Sequence, residues 1–176
     1  MSTRDAAPPG SALTALKFAT ADGAEQMERL LVQLTRQQLI QLLDAAIVSW
    51  PVGKKKPNTR ELHNLAGAGA LGGAFWGLLF GLIFFVPLVG LAVGAATGAL
   101  VGAMSDAGID DNFIKQVRSQ VTEGTSTLFV LTSNAVEDRV VDEVKRSGLH
   151  FEIISTNLPK DREQQLRDVF AAEAAA

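Results

Sequence analysis

The sequence predicts an α+β fold: a ferredoxin-like split β-α-β domain carrying an inserted apolar, glycine-zipper helical hairpin. Three observations lead there. Short apolar runs and helix-period stripes alternate on both sides of one long uncharged block. All 16 basic and 19 acidic side chains lie outside that block, which runs from Leu62 to Ser105. Inside it, glycine recurs at every fourth position in two rows, with Pro87 between them.

Residues 1–12 are small, polar and Pro-containing, which predicts a disordered N-terminal extension. They hold no apolar core of a signal peptide. Residues 13–62 read as the first half of the ferredoxin-like domain. Leu13 to Phe18 is a strand-like run, and Asp22 opens a helix with Glu25 three residues on as a capping box. Met27, Leu30, Leu31 and Leu34 fall on one face of that helix. Ala45 to Trp50 is the second strand. Pro51-Val52-Gly53 ends it, and a lysine-rich turn leads to a short return strand near Thr59 to Leu62.

Residues 106–176 read as a helix plus the second half. Asp110 and Asp111 start the helix, with Phe113, Ile114, Val117 and Val121 on its buried face. Gly124 marks a turn, and Thr127 to Leu131 is a strong strand signal. Val136, Val140, Val141 and Val144 stripe the next helix, which Gly148 stops. Phe151 to Ser155 is the last strand. Pro159 then suits the first turn of a terminal helix whose apolar edge is Leu166, Val169 and Phe170. Two β-α-β units on a four-stranded antiparallel sheet follow from this order.

The block between the halves, residues 63–105, is expected to be a transmembrane or re-entrant helical hairpin. As one helix, Ala66 to Met104 would run to about 58 Å, roughly twice the hydrocarbon thickness of a bilayer. A fold-back at Phe85, Val86 and Pro87 is the economical reading, since proline breaks the helix there. One leg then carries Gly69, Gly73, Gly77 and Gly81, and the other Gly90, Gly94, Gly98 and Gly102. Folding between Phe85 and Val86 pairs Gly69 with Gly102, Gly73 with Gly98, Gly77 with Gly94, and Gly81 with Gly90 at matching depths. Glycine inside a helix costs about 1 kcal/mol relative to alanine, so two unbroken rows argue for close helix–helix contact. The rows either zip the two legs together or face neighbouring protomers. Trp76 is expected to pack against such a row. Basic residues Lys54, Lys55, Lys56 and Arg60 before the hairpin, and Lys115 and Arg118 after it, favour cytoplasmic flanks.

These residues resemble a known family. The segment NLAGAGALGGAFWGLLFGLIFFVPLVGLAVGAATGALVGAMSDAGIDDNFIK, Asn64 to Lys115, is similar to the signature of bacterial membrane proteins grouped as domain of unknown function 1269. The Phe-Trp-Gly of the hairpin and the Ser-Asp-x-Gly-Ile-Asp-Asp after it carry the likeness, which extends from about Leu13 to the last helix. The resemblance implies a membrane protein with cytoplasmic flanking segments. It brings no catalytic residues.

Site chemistry is sparse. The chain has no cysteine, which excludes disulfides, thiolate metal ligation and thiol catalysis. A net charge of −3 gives no reason to expect nucleic acid as a partner. Asp106, Asp110 and Asp111 are the one carboxylate group dense enough to consider for a hard cation, and helix capping accounts for them more simply. His63 and Asn64 read as interfacial polar residues, and His150 as a surface residue. Gly67, Gly69 and Gly72 spell G-x-G-x-x-G without the strand and acidic partner that a dinucleotide site needs. No metal, cofactor or catalytic set is expected, and the chain reads as a non-enzyme.

The function expected is therefore that of an integral protein of the bacterial inner membrane with both termini cytoplasmic. It would oligomerise through its hairpins in the lipid bilayer and present the ferredoxin-like domain to an unidentified protein or small molecule. Two alternatives stay open: a channel or pore made from a ring of hairpins, and a large soluble homo-oligomer whose hairpins share a common apolar interior.

Overall fold

The computed structural model describes residues 11–40, 42–62, 72–84, 102, 104, 109–132 and 138–158. The elements in chain order are β1 (Ser11–Phe18), α1 (Gly23–Arg36), β2 (Leu42–Ser49), β3 (Asn58–Glu61) and α2 (Gly72–Phe84), then α3 (Asp111–Gln120), β4 (Ser126–Thr132), α4 (Asp138–Arg146) and β5 (Phe151–Leu158). The strands form one antiparallel sheet in the order β3-β2-β4-β1-β5. β4 thus lies between β1 and β2, and β1 between β4 and β5. The units β1-α1-β2 and β4-α4-β5 are each split by a strand of the other. The return strand joins as a fifth strand, paired with β2 from Ala46↔Glu61 to Ser49↔Asn58.

Alternation of side chains along the strands builds two cores. On one face Leu16 and Phe18 of β1, Ala45 and Ile47 of β2, and Leu128 and Val130 of β4 meet Met27, Leu31 and Leu34 of α1, with Val144 of α4 packed alongside. On the other face Leu13, Ala15, Ala46, Val48, Phe129 and Leu131 meet α2 and α3. The central strand β4 is buried along its whole length, as a strand covered on both faces must be.

The entry to α1 is held by serines from distant strands. Asp22 occupies the N-cap position but makes no side-chain cap bond. Its carboxylate accepts from the Gln26 side chain at 3.0 Å instead. The Ala24 N–H is satisfied by Ser126 Oγ of β4 at 2.9 Å, and that hydroxyl donates onward to the Thr20 carbonyl at 2.7 Å. Ser49 of β2 donates to the Ala21 carbonyl at 2.7 Å. Gly23 is required in this corner, because a Cβ there would overlap the Phe18 side chain. The capping box expected from Asp22 and Glu25 is replaced by tertiary hydrogen bonds that do the same job.

The expected membrane architecture is corrected. α2 has 13 residues, a rise of about 20 Å, which is well short of the roughly 30 Å hydrocarbon layer. Among the described residues no helix is long and apolar enough to cross a membrane. Phe75, Trp76, Leu78, Leu79, Phe80 and Ile83 of α2 are buried in the protein core. The fold class is therefore a mixed α+β domain with a five-stranded sheet, and not a four-stranded domain carrying two membrane helices. The lipid bilayer as partner, the inner-membrane location with cytoplasmic termini, and the membrane character implied by the family resemblance all rested on those spans, and fall with them. The integral-membrane function falls likewise. Of the alternatives, the one in which protein covers the apolar block agrees better with the packing of α2, although α2 is covered by the chain's own sheet. The tip Phe85, Val86 and Pro87, the glycines Gly69, Gly90, Gly94 and Gly98, and the expected terminal helix lie outside the described residues.

One contact locks α2 to its neighbour. Arg118 of α3 donates from Nε to the Ile83 carbonyl at 3.0 Å and from a terminal nitrogen to the Leu82 carbonyl. These are carbonyls of the last turn of α2, which lack partners within the helix, and a cation there also complements the helix dipole. Arg118, expected as a membrane-flanking charge, is thus a cap. Arg118→Met keeps the aliphatic stem and removes the donors. A loss of about 2 kcal/mol in urea unfolding is expected, the range for hydrogen bonds to charged groups.

Candidate functional site

α2 is apolar around its whole circumference, and such a helix is stable in water only if it is enclosed. Its positions advance about 100° per residue. The buried side chains Phe75, Trp76, Leu78, Leu79, Phe80 and Ile83 sweep an arc of about 200°. Trp76, only 1 % exposed, stacks on Phe80 with centroids 5.7 Å apart, meets Phe75 edge-on at 5.0 Å, and meets Phe129 of β4 at 6.2 Å. Phe80 meets Phe129 in turn at 5.5 Å. Gly90, Gly94 and Gly98 of the row that Trp76 is expected to fill lie outside the described residues. The Trp76 ring sits among aromatic side chains, where edge-to-face geometry adds about 0.5–1.5 kcal/mol per pair beyond burial. Its Nε1 has no hydrogen-bond partner among the described residues, nor have Gln120 Oε1 and Thr127 Oγ1. An unsatisfied buried donor costs about 1–3 kcal/mol, of the same order as the gain from burying one large side chain.

The remaining arc of α2, about 160° between Phe80 and Leu78, carries no fully buried side chain among the described residues. Gly77 is exposed, Gly81 is half-buried, and Phe84 follows at the helix end, also half-buried. Four-residue steps drift about 40°, so these glycines form a slowly turning stripe. A Cβ at Gly77 would meet nothing within 4 Å, and the same holds at Gly102. The stripe ends at an aromatic pair, Phe84 against Trp50, with centroids 6.3 Å apart and planes at 89°. Trp50 Nε1 donates to the Lys54 carbonyl at 2.8 Å, which fixes the turn between β2 and β3. That turn presents Val52, 81 % exposed, beside the exposed Lys54, Lys55 and Lys56. Gly124, with φ +83, lies under Val52 in a conformation that L side chains rarely adopt.

The remaining residues singled out by sequence have structural partners. Arg60 of β3 binds Glu28 of α1 at 2.8 Å, and the hydrogen bond to Glu28 raises its pKa above the ordinary arginine value. Asp22 is held below the usual carboxylate range, chiefly by the Thr20 and Gln26 side chains. Asp110 Oδ1 accepts from the Phe113 N–H at 3.1 Å, a helix N-cap, and Asp111 stands in the first turn. Among the described residues no group of three His, Cys, Asp or Glu side chains could hold a metal ion. Asp106, His63 and Asn64 lie outside the described residues, and His150 is exposed. Sequence reasoning passed over Asp44, a carboxylate only 3 % exposed in β2, whose Oδ1 accepts from the Ala45 N–H at 2.9 Å. It sits at a break in the β2–β4 register, a feature with no sequence signature.

Two outcomes are expected from this geometry. In a Trp50→Phe variant, the remaining Trp76 should emit at short wavelength and resist acrylamide quenching in buffer free of lipid and detergent. A long-wavelength, freely quenched emission would mean that α2 does not sit on the sheet. Asp110→Ala should lower stability by about 1 kcal/mol in urea unfolding, the usual cost of an N-cap, with no change on adding calcium or magnesium.

A family model described as "Protein of unknown function (DUF1269)" matches residues 70–171. The match begins inside the apolar block, and so leaves out β1, α1, β2 and β3, which the sequence resemblance had included. No curated protein and no solved structure matches the chain.

Proposed function

The chain belongs to the DUF1269 family, and on that premise we propose that it is a non-enzymatic assembly module that pairs with copies of itself through the open stripe of α2. The observation that carries this reading is the direction of the glycines. α2 buries its large side chains on its own sheet and turns Gly77 outward, with open space where a side chain would stand. Glycine on a helix lets another backbone approach closely, a contact worth its propensity cost of about 1 kcal/mol only when something packs there.

A second α2 crossing antiparallel at Gly77 fits this surface. Each helix then lays its stripe on the other, and the Phe84–Trp50 pair of one copy reaches past the crossing point. The Lys54–Lys56 turns fall at opposite ends of the pair, which keeps like charges apart. The half-buried rings supply the aromatic anchors that interfaces use.

Light scattering across a dilution series tests the proposal. The parent chain should self-associate, and Gly77→Leu should weaken association at least tenfold. The variant should unfold at the same temperature as the parent or higher, because a Cβ at this position meets nothing and leucine is the better helix former. A parent chain that is monomeric throughout, or a Gly77→Leu variant of unchanged mass, would overturn the reading.

A further inference from the structure

The two edges of the sheet are unlike. β3 is four residues long, Asn58–Glu61, carries Arg60 and Glu61, and is turned largely to solvent. Short, charged edge strands resist pairing with another chain. β5 is eight residues long and pairs with β1 in unbroken register from Phe18↔Phe151 to Ser11↔Leu158. It contains no lysine, proline or bulge. Glu152 is its one charged residue. Among the described residues β1 is its single strand neighbour. Alternate N–H and C=O groups of β5 are thus directed away from the sheet, along a straight edge that lacks the usual devices against pairing. On that edge Ile153 is 63 % exposed.

We infer that the outer edge of β5 is a self-pairing surface, at which β5 of a second copy adds antiparallel across a two-fold axis through Ile153. Antiparallel partners point to the same face of the sheet, and a two-fold axis through one residue keeps that parity for every pair. The axis at Ile153 sets the two exposed isoleucines against each other. It places Phe151 opposite Ser155 of the partner copy, and Glu152 opposite Ile154, so no like charges meet. The two five-stranded sheets become one continuous sheet. A second copy is the favoured occupant because this register sets the exposed Ile153 of each strand against the other and brings no like charges directly opposite each other. The surface is separate from the α2 stripe and does not depend on it.

The absence of cysteine makes the test direct. In Ile153→Cys the paired thiols would lie within the Cα separation that a disulfide spans, about 4.4–6.8 Å. Mild oxidation of the purified chain should convert most of it to a covalent dimer. Val52→Cys, more exposed and on the turn beyond the opposite edge, should form little. Both are run in the Gly77→Leu background, so that failure of the α2 contact leaves this result standing and failure here leaves the α2 contact standing. Ile153→Lys should raise the concentration for half-association at least tenfold in the same background, with an unchanged unfolding midpoint. Cross-linking at position 153 no faster than at position 52, or an Ile153→Lys chain of unchanged mass, would overturn the inference.

Discussion

The constraint on which the rest of the structure depends is that the sheet has two apolar faces and both must leave water. The crossover helices α1 and α4 lie on one face. Two split β-α-β units supply nothing for the other, where Leu13, Ala15, Ala46, Val48, Phe129 and Leu131 would face solvent. The uncharged insertion provides the cover. α2 lays its rings on Phe129, and α3 adds Phe113, Ile114 and Val117 beside it. Each large side chain so buried contributes about 1.5–3 kcal/mol, and together they outweigh the unsatisfied Trp76 indole.

Polar contacts then fix what burial alone leaves loose. Hydrophobic burial has no direction, so many placements of α1 and α2 would hide similar area. Ser126 and Ser49 select one entry angle for α1, through hydrogen bonds between residues 28 to 106 positions apart in the chain. Arg118 selects one end point for α2. The same logic explains why charges expected at a membrane boundary sit elsewhere. Arg60 ties β3 to α1 through Glu28, a surface pair worth about 0–1 kcal/mol, and its contribution is mainly to register.

What is left over after the faces are covered is informative. A helix whose large side chains pack on one side keeps its other side open, and Gly77 stands exposed there where a small polar residue would have served solubility. A sheet with one edge short and charged keeps the other long and plain. Neither feature improves the fold of a single copy, since glycine weakens a helix and an edge strand that has one strand neighbour among the described residues directs backbone groups away from the sheet. Both are economical if copies of the chain meet there.

Much of the local structure was legible. Of the stripe Met27, Leu30, Leu31 and Leu34, three are buried and Leu30 is half-buried, Asp110 caps α3, and the turn at Gly124 precedes β4, because these depend on residues a few positions apart. One signal was available and was under-read. β2 and β4 are apolar at consecutive positions, which marks strands covered on both faces and so calls for a second helical layer. The sequence by itself determined that the large side chains of an uncharged block of this length must be covered by something apolar, since their exposure to water is costly. Only the tertiary structure decided that, for the described helix α2, the covering surface is the chain's own sheet. Hydropathy reports the cost of exposure to water and is the same for a lipid tail and for Phe129. The choice between them rests on shape, on the Trp76, Phe80 and Phe129 rings meeting and Arg118 reaching the end of α2.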